Sequence, residues 1–200
     1  MVGSRIREGR SQVIKNPGDK PRPDSESGER QLANFMGTGY DKGRSIPVQV
    51  AWMIVSTTVL PRWWMPNAIR IKILRMFGAN IADGVLIRHG VKIHWPWKLT
   101  IGAHSWIGER AWLLNLEHIT IGQNVCVSQD VLLCTGSHDR HSPSFEFDNA
   151  AITIEDGCWI ATRATILRGT TIGRNSVIGA TSLVTRNIPA GTLHTNNLIV

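Results

Sequence analysis

Residues 154–184 read IEDGCWIATRATILRGTTIGRNSVIGATSLV, with an isoleucine or valine at every sixth position: Ile154, Ile160, Ile166, Ile172, Ile178 and Val184. A period of six belongs neither to a helix (3.6) nor to a strand (2), so it reports a larger unit repeated in space. The same period runs backward through Ile81, Ile87, Ile93 and Leu99, through Ile101, Ile107, Leu113 and Ile119, and through Ile121, Val127 and Leu133, with a two-residue slip between runs. Small residues follow many of the aliphatics (Gly102, Gly108, Gly122, Ala161, Gly173, Gly179). Each hexad therefore reads as one short strand and a bend, with the aliphatic pointing inward. Three hexads close a triangular coil, and successive coils hydrogen-bond at about 4.8 Å, the spacing of neighbouring strands. The fold class is an all-β solenoid of parallel strands, carrying a short N-terminal helical cap and a disordered N-terminal tail.

The length of 200 residues suits one core. The formal charge of +7 raises the question of nucleic acid. Several basic residues, however, lie in residues 1–44, mixed with Asp, Glu, Pro and Ser in a stretch poor in aliphatics that reads as a disordered tail. No basic stripe with interleaved aromatics crosses the repeat, so nucleic acid is not expected as a partner. Cys126, Cys134 and Cys158 occupy hexad positions without CxxC pairing, and the N-terminus lacks the apolar run of a secretory leader. Both features predict reduced thiols and a cytoplasmic protein.

Residues 45–80 read as the cap. Ser45 and Pro47 start a helix that Pro61 stops, and a second helix covers about Asn67 to Phe77 with Gly78 as its stop. The run Val48 to Leu60 spans roughly 20 Å as a helix, short of the ~30 Å hydrocarbon core of a bilayer. The segment shields the edge of the first coil, and Arg62, Trp63, Trp64 and Met65 also have the character of an interfacial anchor, so peripheral membrane contact through residues 46–65 is compatible with capping. The solenoid is assigned to residues 81–189, and residues 190–200 read as an altered or truncated C-terminal tail.

The period is interrupted once by a long excursion, residues 138–151, rich in His138, Asp139, Arg140 and His141. A rigid solenoid tolerates an insertion at a corner and positions what it carries. A neutral histidine at the root of that loop is suited to take a proton from a hydroxyl.

The stretch Leu133-Cys134-Thr135-Gly136-Ser137-His138-Asp139, the later Trp159-Ile160-Ala161, the Thr171-Ile172-Gly173 step and the run from Val177 to Thr185 resemble the hexapeptide-repeat acyltransferases. The Leu74-Arg75-Met76-Phe77-Gly78-Ala79 lead-in and the Pro96-Trp97 pair resemble the branch acting in colanic acid and related exopolysaccharide biosynthesis. That resemblance implies a left-handed parallel β-helix, a homotrimer with active sites between subunits, acetyl-CoA as acetyl donor, a carbohydrate acceptor and no metal. It implies His138 as the general base and the amides of Ala161 and Thr162 as oxyanion donors. Asn115, Trp159 and Asp139 would line the acceptor site. Ala180 and Thr185 would bind the cofactor through their backbones, and Arg186 would meet its 3′-phosphate.

Two departures stand out. Arg168-Gly169-Thr170 replaces the family's Pro-Gly-Val, and after Pro189 the usual Gly-Asn-Pro-Ala stretch and closing helix are absent. Two other functions fit a hexapeptide solenoid: a catalytically impaired or non-catalytic trimeric scaffold, and a zinc hydratase of the β-helical carbonic-anhydrase type using His89 and His94 with His104 or His118.

Overall fold

In a computed structural model, which describes residues 30–195, the six-residue period becomes a parallel β-solenoid with three faces. Each hexad supplies a strand of two or three residues, and each strand pairs with its counterpart in the next coil rather than with its neighbour in sequence. Every aliphatic of the period is buried, from Ile81 to Val184, and together they form one continuous core. Burying such a side chain contributes about 1.5–3 kcal/mol. The slips are explained by strands with two inward residues, as Leu99 and Ile101, Ile119 and Ile121, and Ile152 and Ile154 are all buried.

The outward residues give the faces different chemistry. One face stacks Asn80, Thr100, Thr120, Thr153 and Thr171 in register, a polar ladder. The next stacks Leu86, Trp106, Cys126, Trp159, Val177 and Leu193, an apolar ladder. The third stacks Lys92, Trp112, Leu132, Thr165 and Leu183. We refer to these as the threonine, tryptophan and leucine faces.

The corner from threonine to tryptophan face turns in successive coils on a left-handed residue: Gly84, His104, Asn124, Gly157, Asn175 and Gly191. The corner from tryptophan to leucine face does the same with Gly90, Arg110, Asp130, Arg163 and Thr181. Gly and Asn tolerate this conformation, and elsewhere the ladder overrides a cost of about 1–2 kcal/mol per residue. Buried serines close the first of these corners. Ser105 Oγ donates to the Gly122 carbonyl at 2.7 Å and accepts the Val125 amide at 3.0 Å.

The corner from leucine back to threonine face varies from coil to coil, through residues 94–98, 115–118, 135–151, 168–170 and 185–187. The 138–151 excursion therefore belongs to a corner whose length is already free.

Helices α1 (Ile46–Thr58) and α2 (Asn67–Met76) cover the first coil. Trp52 is buried, its ring 5.1 Å from Phe77 and its Nε1 donating to the His94 carbonyl at 2.8 Å. Arg70 is buried with no carboxylate partner among the described residues. Its guanidinium donates to the carbonyls of Leu60, Arg62, Met65 and Ile87, three of them at the carbonyl-rich end of α1 and the hinge after it.

Two expected boundaries shift. Of the expected tail, residues 1–29 lie outside the described residues, but residues 30–44 form a strap that runs along the variable corner from the 138–151 loop to the cap. Side-chain and backbone hydrogen bonds hold it where aliphatic content alone would not. Past Pro189 the repeat also continues, because Ile188 bridges to Ile172 and Leu193–His194 pairs with Val177–Ile178, giving the start of a sixth coil. That stretch lacks the isoleucine signature because its outward Leu193 and inward His194 reverse the usual pattern.

Candidate active site

His138 lies where the third leucine-face strand, Leu132–Cys134, gives way to the insertion. The loop folds back as a short antiparallel bridge between His138 and Phe147. Its tip brings the Phe145 carbonyl to 2.7 Å from His138 Nδ1. A carbonyl oxygen only accepts, so Nδ1 carries a proton, and in the neutral ring Nε2 keeps its lone pair. The imidazole stacks on Phe145 at 4.3 Å and 8°, and on Phe147 at 5.1 Å and 22°. Phe35 from the strap meets it edge-on at 5.7 Å. Phe145 itself adopts a φ of 55°, costly for a bulky side chain, and this turns its carbonyl toward the histidine.

The strap is fastened to the same loop. Glu146 accepts the amides of Met36 at 2.9 Å and Thr38 at 2.8 Å, and these bonds, the Met36 bond first, hold its carboxyl below the usual range. Gln31 N–H donates to the Pro143 carbonyl at 2.9 Å, and the Arg30 guanidinium lies 4.4 Å from the Phe145 ring centre. Further along, Trp95 Nε1 donates to Tyr40 Oη, and the buried Lys98 ammonium donates to the carbonyls of Asp41 at 2.5 Å and Leu116 at 2.6 Å. Strap, loop and corner are one assembly around His138. None of Phe35, Phe145, Phe147 or Glu146 is marked by the hexad period, because they act through tertiary contacts. A usable signal was the unusual density of aromatic residues in the insertion.

Two expected site residues have their polar groups committed to backbone hydrogen bonds. Asn115 is fully buried: its Oδ1 accepts the amides of His94 and Trp95, both at 3.0 Å, and its Nδ2 donates to the carbonyls of Trp95 at 2.5 Å and Lys98 at 3.1 Å. Its amide is spent on the corner above, so no group remains for an acceptor. The Ala161 amide donates to the Ile178 carbonyl at 2.9 Å and is spent on the ladder, whereas the Thr162 amide makes no backbone ladder bond. Asp139 commits Oδ1 to the His141 amide at 2.8 Å, so one of its oxygens shapes the loop.

Arg168 finds a use in its departure from the family pattern. It pairs with Asp148, while the Gly169 amide donates to the Ala151 carbonyl at 3.0 Å, latching the returning end of the insertion to the next coil. Thr185 and Arg186 are exposed on this same corner, two coils beyond His138.

The remaining candidates lie elsewhere on the prism. Trp159 is half-exposed on the tryptophan face, its Nε1 donating to Ser128 Oγ at 3.0 Å. Thr162 and Ala180 follow that face at the next corner. One solenoid thus divides the expected site between two edges. The histidines of the zinc reading are engaged separately: His89 Nε2 lies 3.3 Å from Glu109, and His94 is half-buried against Trp95 at 4.4 Å. Burial, with Lys42 and Lys98 nearby, pushes the His94 pKa down. Among the described residues no three of His, Cys, Asp and Glu converge as a metal site.

Comparison with known proteins agrees with this architecture. The family described as Bacterial transferase hexapeptide (six repeats) matches residues 151–186. An Escherichia coli (strain K12) protein provisionally named colanic acid biosynthesis acetyltransferase WcaF is 40% identical over 162 residues, covering 80% of this chain and 87% of its own. The galactoside O-acetyltransferase of the same organism is 29% identical over 123 residues, covering 60% and 61%. A hexapeptide-repeat acetyltransferase from Vibrio cholerae, solved with acetyl coenzyme A, superposes with a TM-score of 0.70 at 23% identity, covering 81% of this chain and 90% of that one, a likeness of fold.

Proposed function

This chain belongs to the hexapeptide-repeat acetyltransferases, and from that premise we propose that it moves acetyl from acetyl-CoA to a sugar hydroxyl in exopolysaccharide synthesis, with His138 as general base. The observation that carries the proposal is the bond from His138 Nδ1 to the Phe145 carbonyl, which leaves Nε2 as the proton acceptor. The sugar hydroxyl gives its proton to Nε2 as its oxygen bonds to the thioester carbonyl carbon. The resulting oxyanion needs a donor, for which the Thr162 amide is the better supported of the two expected. Collapse breaks the carbon–sulfur bond, and the proton on Nε2 passes to the departing thiolate. The products are the acetyl ester and free CoA, with no acyl-enzyme. The name of the 40% identical relative supports the exopolysaccharide context, and that of the galactoside enzyme supports a sugar acceptor.

A single solenoid cannot bring His138 together with Trp159, Thr162 and Ala180, because they occupy different edges. A homotrimer of parallel solenoids joins one subunit's variable corner to the next subunit's tryptophan-face edge, in a closed ring of identical contacts. The exposed Trp106 and Trp159 support such burial. Ala180 and Thr185, with Arg186 for the 3′-phosphate, are the proposed CoA contacts. Use of acetyl-CoA supports a cytoplasmic setting, and no helix among the described residues is long and apolar enough to cross a membrane.

The test follows thiol release from acetyl-CoA across a panel of glycan acceptors. His138→Ala should lower kcat about 10²–10⁴-fold, the usual contribution of general-base catalysis. Undiminished activity in that variant sinks the mechanism, and a wild type that releases no thiol with any glycan returns the scaffold reading.

A further inference from the structure

The cap and the first coil under it are chemically unlike the rest of the chain. Residues 44–98 carry eight Lys and Arg against one acid, Asp83, a balance of +7 equal to the formal charge of the whole protein. The remainder of the chain is therefore neutral overall. Two of those cations, Arg70 and Lys98, are buried against backbone carbonyls, and the other six are exposed.

Helix α1 adds an apolar surface to that charge. It buries one stripe, centred on Trp52, against the first coil. The opposite stripe, Ile46, Val50, Met53, Ile54 and Thr57, has no charged residue, and Ile46 is 74% exposed. The hinge that follows presents Trp63 at 78% and Trp64 at 63% exposure, directly after Arg62. Helix α2 then exposes Ile69 and Met76 beside Lys72 and Arg75. A helix with no charged residue and an apolar stripe left in solvent calls for a cover. Tryptophan beside arginine suits the headgroup level of a bilayer, and the uncompensated positive charge is complementary to anionic lipid.

We propose that the cap, through α1 and the Arg62–Met65 hinge, docks the enzyme onto an anionic lipid bilayer, with α1 lying in the plane of the interface. Docking presents one end of the solenoid to the membrane and leaves the variable corner upright along its side, open to acceptors held at that surface. The proposal is independent of the acetyl-transfer reading, since no arm of its test reads activity.

The full chain is floated with vesicles of phosphatidylcholine alone and of phosphatidylcholine containing phosphatidylglycerol. Binding is expected on the anionic vesicles and should weaken with salt. Each Lys or Arg near such a surface changes partition by about fivefold, so Arg62→Glu with Lys72→Glu should lower it by tenfold or more. Met53→Ser with Ile54→Ser, both outward-facing, should lower it by about tenfold as well. Hydrogen exchange on the wild type supplies a measurement that needs no variant: protection on anionic vesicles should fall within residues 46–65. Equal partition to both vesicle types, or the absence of that protection, overturns the proposal. So does a Met53→Ser, Ile54→Ser protein that binds vesicles unchanged, or one whose oligomeric state shifts in sedimentation, which assigns the face to a second copy of this chain.

Discussion

Two corners of the solenoid turn in the same way in successive coils, while the third varies in length from three residues to seventeen. The regular corners depend on single left-handed residues stacked one above another, so each is locked by the coil on either side. The variable corner has no such stack. It is held by side chains that reach across: Asn115 to residues 94–98, Lys98 to the strap, Glu146 to Met36 and Thr38, and Arg168 to Asp148. Strand register depends on the inward aliphatics rather than on corner length, so this edge can lengthen without disturbing the core. Two corners thereby repeat one local turn, whereas the third is built from contacts particular to each coil, and the proposed base sits on it.

The sharpest way to break this comparison is at Asn115, a variable-corner residue whose side-chain amide is committed to backbone groups. Asn115→Ala leaves the Trp95 amide and the Lys98 carbonyl without their Asn115 partners and should cost about 3 kcal/mol, lowering the thermal midpoint by roughly 8 °C. Calorimetry checks the stability, and an unchanged acceptor KM in the folded protein checks that Asn115 does not touch the sugar. A loss confined to KM contradicts its placement.

A smaller effect is expected at a regular corner. Asn124 has a φ of 55°, so Asn124→Val should destabilise by about 1–2 kcal/mol, while Asn124→Gly stays near neutral. Chemical denaturation measures both, and neither should alter kcat. A catalytic defect in either would mean that the corner between the threonine and tryptophan faces also carries function.

The smallest effect concerns the strap. The Glu146 carboxyl is held below its ordinary range by the Met36 and Thr38 amides. A depressed folded-state pKa means that the clamp's contribution is fully present above the ordinary glutamate value and is lost as pH falls through the lower folded one. Exchange protection of the Met36 and Thr38 amides, corrected for intrinsic rates, should hold at pH 5 and fade only in stronger acid. Glu146→Gln should remove that step, and a strap that opens between pH 6 and 7 would rule out Glu146 as its fastening.

The repeat was legible because an inward aliphatic at every sixth residue is the direct imprint of a triangular coil. His138 was legible as the point where the period fails, and Arg168 as a departure that the structure explains. Asn115 is not legible in the same way, because a polar residue at a corner looks alike in sequence whether it faces a ligand or caps buried backbone. The strap escaped notice for the opposite reason: residues 30–44 have few aliphatics, and their order comes from partners more than 50 residues away.

By itself the amino-acid sequence determined the solenoid, the inward residues and the place of the insertion, because these follow from a local period that every coil repeats. Tertiary structure alone decided the proton-bearing nitrogen of His138, the burial of Asn115, the course of the strap and the division of the candidate site between two edges. Those depend on which backbone carbonyl meets which side chain across coils, and a one-dimensional period carries no record of such contacts.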